Sequence, residues 1–157
     1  MPVNPVPKGF HSITPHLVVR GAAKAIEFYK QAFGAESLGA MSMPGSDKIM
    51  HAALQIGDSR IMLADDFPEM GSHSPQDSQV SSPVVIHIYT ADTDGMFQRA
   101  VAAGATVKMP PMDMFWGDRY AQVTDPFGHR WSIGTHVKDV APEEMEAAAK
   151  QSMSAKK

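Results

Sequence analysis

The sequence predicts an α+β fold built from two tandem βαβββ modules. The order strand, helix, three strands occurs twice, at 13–66 and again at 83–136. Short segments also match between the halves, since Ala32–Glu36 reads Ala-Phe-Gly-Ala-Glu and Ala102–Thr106 reads Ala-Ala-Gly-Ala-Thr. The repeat occurs only twice, which indicates a duplicated module and not an array. One helix among several strands favours a curved mixed or antiparallel sheet, with a central trough between the free sheet faces.

The predicted organisation has five parts. They are an N-terminal arm at 1–12, a first module at 13–66, a loop at 67–82, a second module at 83–136, and a C-terminal helix and tail at 137–157. The arm carries Pro2, Pro5 and Pro7 and should be extended. The loop is polar and long for a compact domain, so we interpret it as a linker or a functional flap.

The first module begins with a strand and an amphipathic helix. Its predicted elements are a strand at Ile13–Arg20, a helix at Ala22–Phe33 and strands at Ala35–Met43, Ile49–Ile56 and Arg60–Ala64. Apolar residues recur at helical spacing in the helix, and Gly34 follows it where a C-terminal cap belongs. Gly57 and Asp58 predict a hairpin between the last two strands.

The second module repeats this order. Its predicted elements are a strand at Val84–Tyr89, a helix at Asp92–Ala103, a strand at Thr106–Met109 and a final hairpin within Asp113–His136. Asp92 or Thr93 should cap the helix, and Pro110 and Pro111 should stop the strand. The segment Asp125–Gly128 (Asp-Pro-Phe-Gly) predicts a tight turn that ends on a glycine with positive φ. A weak helix is expected at Pro142–Gln151.

Composition bounds the function. The chain has 157 residues, a net charge of −3 and no cysteine, which excludes disulfides, thiolate nucleophiles and zinc–sulfur sites. No basic cluster suggests nucleic acid, and no apolar run approaches a membrane span. We therefore expect a cytoplasmic protein with a small-molecule partner, no nucleic-acid partner and no membrane partner.

Strand alternation places three histidines on the face away from the helices. Leu17 and Val19 should pack under the first helix, so that His16, His51 and His87 project from the other face. Grouped imidazoles can bind a divalent metal, yet three histidines can equally be hydrogen-bonded pocket residues. The inward positions include no Asp or Glu. The cofactor is thus either one divalent ion (Zn, Ni, Fe or Mn) or none.

Aromatic residues supply a second candidate site. The predicted ligand pocket consists of Gln55, Tyr89, Phe115, Trp116, Arg119 and Tyr120. An exposed aromatic pair beside a cation could orient a planar or anionic ligand, although Trp116 could instead seal the end of the sheet. The remaining histidines are expected at the surface, and Asp65 and Asp66 at a solvated start of the loop.

Extended segments resemble one protein family. They are ITPHLVVR at Ile13–Arg20, AIEFY at Ala25–Tyr29, AFGAE at Ala32–Glu36, MHA at Met50–Ala52, GDS at Gly57–Ser59, MLAD at Met62–Asp65 and the hairpin at Phe115–His136. Together they resemble the vicinal-oxygen-chelate superfamily of glyoxalase I, bleomycin- and fosfomycin-resistance proteins and extradiol dioxygenases, in its PhnB-like branch. The resemblance runs from about Ile13 to Glu144 and implies the doubled βαβββ fold.

The resemblance leaves two functions open. It implies a metal trough in the superfamily's enzymes, with ligands falling near Thr14, at Val85 and at Ser132; these three residues do not ligate or ligate weakly. The chain is therefore either a metal-dependent lyase or isomerase acting on a small molecule, or a metal-free, antibiotic-type small-molecule-binding protein. The resemblance also implies a homodimer, for which the 67–82 loop is a candidate clasp. The catalytic residues and the substrate are not indicated.

Overall fold

Each half of the chain folds as one βαβββ module. The computed structural model describes residues 2–77 and 82–155. The first module contains β1 (His16–Val19), α1 (Ala22–Phe33), β2 (Glu36–Ser42), β3 (Ile49–Ile56) and β4 (Ser59–Asp65). The second contains β5 (Val85–Tyr89), α2 (Thr93–Ala103), β6 (Thr106–Asp113), β7 (Asp118–Thr124) and β8 (Arg130–His136), and α3 (Pro142–Ser154) follows. The α+β fold class with two repeated modules is confirmed.

The two sheets have the same topology. Their strand orders are β1-β4-β3-β2 and β5-β8-β7-β6, so the first strand of each module pairs with its last. That pair is parallel and the other pairs are antiparallel, which makes both sheets mixed. Within 2–77 and 82–155 the two sheets remain separate, and no strand pair closes them into one.

The helix-covered faces of both sheets share one hydrophobic core. Leu63 of the first sheet and Ile133 of the second are buried in it, together with Tyr29 and Phe33 of α1. The rings of Tyr29 and Phe33 lie 5.4 Å and 4.7 Å from that of Trp131, between ring centroids. Each such side chain contributes about 1.5–3 kcal/mol by leaving water. The helices thus join the modules, and the other face of each sheet stays open.

A buried carboxylate anchors the β7–β8 turn to that core. Asp125 accepts hydrogen bonds from the Tyr29 hydroxyl at 2.6 Å and the Trp131 indole N–H at 2.8 Å. Its other oxygen accepts from the backbone N–H groups of Phe127 and His129, both at 2.9 Å. Burial, and then the Asp125 charge, raise the pKa of Tyr29 well above its ordinary value. Gly128 has φ 91°, as the turn prediction required.

Several local predictions are confirmed. The bounds of α1 and β3 are those expected, and Gly34 caps α1 with φ 68°. Asp92, not Thr93, is the N-cap of α2, because its side chain accepts a hydrogen bond from the Gly95 N–H at 2.9 Å. His129 departs from the surface prediction, since its Nε2 lies 2.9 Å from the carbonyl oxygen of Val18.

Two other expectations are wrong. β6 continues through Pro110 and Pro111 to Asp113, because it is the outer strand of its sheet and its register shifts between Met109 and Met112. Asp65 is buried and not solvated, since its carboxylate accepts from the N–H groups that begin α1 and β3. Donors from separate segments of the first module therefore converge on this carboxylate.

The described part of the segment after β4 contacts both modules. Short 3₁₀ turns occur at Pro68–Met70 and Pro75–Asp77. The side chain of Gln76 accepts from the N–H of Arg20 and donates to the carbonyl of Pro126, at 3.2 Å each. This part of the 67–82 loop therefore bridges the two modules. Residues 78–81, which belong to the predicted flap, and the tail residues 156–157 lie outside the described residues.

Candidate functional site on the second sheet

The open face of the second sheet carries a regular set of side chains. His87 of β5 lies opposite Ser132 of β8, which lies opposite Gln122 of β7. The next row is Tyr89, Gly134 and Tyr120. Ala121, Val123, Trp131 and Ile133, which alternate with these residues, are buried against the helices. On β7 the burial of Ala121 and Val123, beside the partly exposed Tyr120 and Gln122, agrees with the face assignment made from strand alternation.

Five rings form a continuous aromatic cluster, defined as Tyr89, His87, Tyr120, Trp116 and Phe115. His87 meets Tyr89 edge-on at 4.5 Å and lies nearly parallel to Tyr120 at 6.0 Å, with 18° between the planes. Trp116 contacts Tyr120 edge-on at 5.5 Å and Phe115 at 5.1 Å. Tyr89 is 67% exposed. Ring faces and edges are thus presented along one side of the sheet.

His87 is held by one side-chain hydrogen bond. Its Nδ1 lies 2.6 Å from Oγ of Ser132, which is only 3% exposed. Among residues 2–77 and 82–155 no hydrogen bond engages Nε2 of His87. Burial lowers the pKa of His87 below its ordinary value, and the charge of Asp118 opposes this effect. Neutral imidazole is therefore the favoured form at neutral pH.

Gly134 provides the space in which the His87 ring lies. A Cβ built on Gly134 would stand 3.0 Å from Cε1 and 3.1 Å from Nε2 of His87. Real Cβ contacts of this kind are rarely so short, so the ring would have to move if a side chain were present. Gly134 also separates Tyr89 from Tyr120 in the row. The absence of a side chain here allows the imidazole to face Tyr120.

A series of hydrogen bonds centred on His136 borders the aromatic cluster. Nδ1 of His136 lies 2.8 Å from the nearly buried Asp118, and Nε2 lies 2.7 Å from Asp139. Hydrogen bonds, first to Asp139 and then to Asp118, raise the pKa of His136. The Tyr89 hydroxyl is 3.5 Å from Asp118, which is a weak contact. His136 thereby joins the start of β7 to the segment that follows β8.

A cavity of about 650 Å³ adjoins this face. Its lining includes His87 and Tyr89 from the open face of β5, and Ile86 and Ile88 from the covered face. Residues of the N-terminal arm, of the β3–β4 hairpin and of the core complete it, among them Phe10, Arg60 and Trp131. The volume is within the usual range for small-molecule sites. His87 and Tyr89 are therefore shared by the cavity and the aromatic cluster.

The three predicted metal ligands are divided between the sheets. His16 and His51 lie on the first sheet, with ring centroids 6.3 Å apart, whereas His87 lies on the second. Among the described residues, no group of three or more His, Asp or Glu side chains is arranged to hold a metal ion. Within one copy of the described chain, His16, His51 and His87 thus do not come together as one set of metal ligands. Metal binding stays a prediction.

Two predicted pocket residues lie elsewhere. Arg119 is on the helix-covered side of β7, because it alternates with Tyr120, and it pairs with both oxygens of Asp94 at 2.9 Å and 3.0 Å. Gln55 lies on β3, where its side chain accepts from Nε of Arg60 at 2.9 Å. The structure therefore places both side chains apart from the aromatic cluster.

Three residues of the site were not among the predicted site residues. Ser132 was expected to face inward, but its contact with His87 depends on the parallel pairing of β5 with β8. Asp118 and His136 pair because they lie opposite each other on β7 and β8. The two-residue spacing between Asp118 and Tyr120 was a usable signal, since it places both on the open face.

Comparison with known proteins agrees with this architecture. A model of the Glyoxalase/Bleomycin resistance protein/Dioxygenase superfamily matches residues 9–133. An uncharacterized protein of Mycobacterium bovis is 49% identical over 140 residues, which cover 87% of this chain and 91% of that protein. In the part of the chain that the structure describes, no helix is long and apolar enough to cross a membrane.

Solved structures share the arrangement. TioX from Micromonospora sp. ML1 is 26% identical and aligns with a TM-score of 0.61, over 81% of this chain and 99% of that chain. A PhnB protein from Bacillus cereus is 16% identical, with a TM-score of 0.58 over 80% of this chain and 99% of that one. At 16% identity the likeness concerns the fold alone.

Proposed function

Because this chain belongs to the glyoxalase/bleomycin resistance protein/dioxygenase superfamily, we propose that it binds a planar small molecule on the aromatic cluster of its second sheet. The proposal is the metal-free binding function that the sequence left open beside a metal-dependent lyase or isomerase. Its ligand would lie along the rings of Tyr120, Trp116 and Tyr89, and would reach His87 at the cavity.

One observation carries this proposal. His87 stands where the cavity meets the cluster, with rings on two sides and Nε2 unengaged within the described residues. Aromatic contacts of this kind contribute about 0.5–1.5 kcal/mol each beyond the area they bury. A flat ligand could gain several such contacts without rearranging the sheet, because the strands already fix the rings. The imidazole adds a polar contact that orients the ligand.

Tryptophan fluorescence tests the proposal directly. Trp116 lies in the cluster, whereas Trp131 is buried in the core at the wall of the cavity, so planar compounds bound on the cluster should quench mainly the emission of Trp116. Tyr120→Ala should weaken binding by about tenfold, because the central ring between His87 and Trp116 is lost. His51→Ala is the matched control, since it removes an exposed ring from the open face of the first sheet.

The outcome is decided by saturation. Saturable quenching that survives in His51→Ala and weakens in Tyr120→Ala supports binding at the cluster. Equal weakening of binding in the two variants would indicate that the ligand does not bind on the second sheet. No saturable binding across a broad library of planar compounds would remove the proposal.

We also propose a homodimer, as the family resemblance implies. β2 is the outer strand of the first sheet and every one of its residues is exposed, including Leu38 and Met41. An unpaired strand edge with exposed apolar side chains is normally covered in a native protein. A second copy of this chain is the occupant that we propose.

Sedimentation equilibrium tests the dimer. The wild-type chain should have twice the mass of the monomer at micromolar concentration, and Met41→Glu should shift the equilibrium towards the monomer. Lys24→Glu, on the exposed side of α1, is a control with a larger change of charge. A monomeric wild-type chain would contradict the proposal.

A further inference from the structure

We infer that His87 presents a hydrogen-bond donor, Nε2–H, to the ligand, and so selects planar compounds that carry an oxygen acceptor such as a ketone, quinone or lactone carbonyl. This inference rests on the proposed function, because it names the class of ligand that the aromatic cluster would take. It follows from the position of one serine hydroxyl and one glycine.

The Ser132 hydroxyl decides which nitrogen of His87 carries the proton. Its Oγ lies 2.6 Å from Nδ1, and within 2–77 and 82–155 this is the one hydrogen bond formed by that oxygen. Ser132 is buried, so a hydroxyl proton directed elsewhere would lack an acceptor, which is costly. The hydroxyl therefore donates to Nδ1. Neutral imidazole carries one proton, which must then be on Nε2.

Gly134 determines how that donor is presented. Because no Cβ occupies the row between Tyr89 and Tyr120, the imidazole lies within 3.0–3.1 Å of where one would stand. The ring is thereby nearly parallel to Tyr120. A flat compound against these rings would bring an atom at its edge within reach of Nε2. The geometry thus pairs a stacking surface with one donor.

The other polar groups nearby define the same preference. Gln122 already donates to the Tyr120 hydroxyl at 2.9 Å, so the hydroxyl proton of Tyr120 remains available as a second donor. Asp118 is the carboxylate whose charge acts on His87, and its oxygens contact His136 and Tyr89. The two groups near the centre of the cluster that can still form hydrogen bonds, Nε2–H of His87 and the Tyr120 hydroxyl, are therefore donors. An acceptor atom on the ligand would pair with them.

The tautomer can be measured without any ligand. Two-bond and three-bond ¹H–¹⁵N correlation spectra of the imidazoles distinguish a protonated from an unprotonated ring nitrogen. At about pH 8, above the ordinary histidine pKa of about 6.5, we expect an unprotonated Nδ1 and a protonated Nε2 for His87. Ser132→Ala should give a mixture of the two tautomers, which a purely structural role of Ser132 would not produce. A protonated Nδ1 in the wild-type protein would overturn the inference.

The selectivity is measured with a matched pair of compounds. 9-Fluorenone and fluorene share one planar tricyclic frame and differ in a carbonyl against a methylene group. Calorimetric titration should give an affinity for fluorenone roughly two- to tenfold above that for fluorene, the range of one neutral hydrogen bond. His87→Phe keeps a ring beside Tyr120 and removes the Nε2–H donor, so the ratio should fall well below the wild-type value, to what the Tyr120 hydroxyl alone supplies.

The outcomes separate this inference from the proposed function. Equal affinities for the two compounds in the wild-type protein would overturn the acceptor preference while leaving binding at the cluster in place. A ratio that persists in His87→Phe would also overturn it, because another group would then supply the donor. Saturable binding of neither compound would count against the proposed function and against the acceptor preference together.

Discussion

The two modules place a histidine at the same register position and surround it differently. His16 of β1 lies opposite Met62 of β4, and His87 of β5 lies opposite Ser132 of β8. In the following row the first module has Ala64 where the second has Gly134. His16 therefore stands beside a thioether and a methyl group, whereas His87 has a hydroxyl partner and an open position.

This difference shows how a duplicated fold can carry one site. The helix-covered faces of the two modules share one core, and both modules contribute aliphatic and aromatic residues to it. On the open faces, two small residues on β8 give His87 a fixed orientation between aromatic rings. On the first sheet the rings of His16 and His51 contact each other edge to face, with their centroids 6.3 Å apart. The oriented aromatic and polar side chains are thus concentrated on the second sheet.

The two hairpins differ in the same way. The β3–β4 turn holds the exposed Asp58, which accepts a hydrogen bond from its neighbour Ser59. The β7–β8 turn holds the buried Asp125, which accepts from Tyr29 of the first module and from Trp131. The second hairpin therefore connects the modules through Asp125, and no matching hydrogen bond is formed by Asp58 among residues 2–77 and 82–155.

The largest expected effect is a difference in stability between substitutions in the two hairpins. Asp125→Ala should lower the free energy of unfolding by about 3 kcal/mol or more, because it leaves the Tyr29 hydroxyl and the Trp131 N–H buried without an acceptor. Asp58→Ala should change it by less than about 0.5 kcal/mol, as exposed substitutions usually do. Urea unfolding followed by circular dichroism measures both. Similar losses in the two variants would contradict the distinction.

An intermediate effect tests the space beside His87. Gly134→Ala should lower stability by about 1 kcal/mol through overpacking and weaken fluorenone binding by roughly fivefold, because the imidazole must leave its place beside Tyr120. The control is Ala64→Gly at the matching position of β4, which should leave fluorenone binding unchanged. Unaltered imidazole shifts and unaltered affinity in Gly134→Ala would argue against the role of the glycine.

The smallest expected effect is on the pH dependence of stability, because the pKa values of two histidines are shifted in opposite directions. The pKa of His136 is raised, so its contribution to stability is complete below about pH 6.5 and is lost as pH rises through the folded-state pKa. The pKa of His87 is lowered, so the unfolded chain binds a proton first and stability falls as pH drops below about 6.5.

Nuclear magnetic resonance titration of the imidazole protons measures both values. The midpoint of His136 should lie above about 6.5 and that of His87 below it, and His136→Gln should remove the alkaline loss of stability. The reverse order of the two midpoints would show that the hydrogen bonds of His136 and the burial of His87 do not control the pKa values of these residues.

Much of the fold was predictable because its signals are local. Helical spacing and a terminal glycine gave the bounds of α1, and the Asp-Pro-Phe-Gly pattern gave the β7–β8 turn with Gly128 at positive φ. The burial of Asp65 was not predictable, since its three donors come from two other elements. The path of β6 through Pro110 depends on which strand is outermost, which is a property of the whole sheet.

The candidate site divides along the same line. The sequence by itself determined the doubled βαβββ fold and the sheet face on which His16, His51 and His87 project, because strand periodicity acts between neighbours along the chain. Only the tertiary structure decided that His87 stands apart from the other two, beside Ser132, Gly134 and Tyr120. Those contacts join strands far apart in sequence, and their register is set by packing of both modules on one core, which no local pattern encodes.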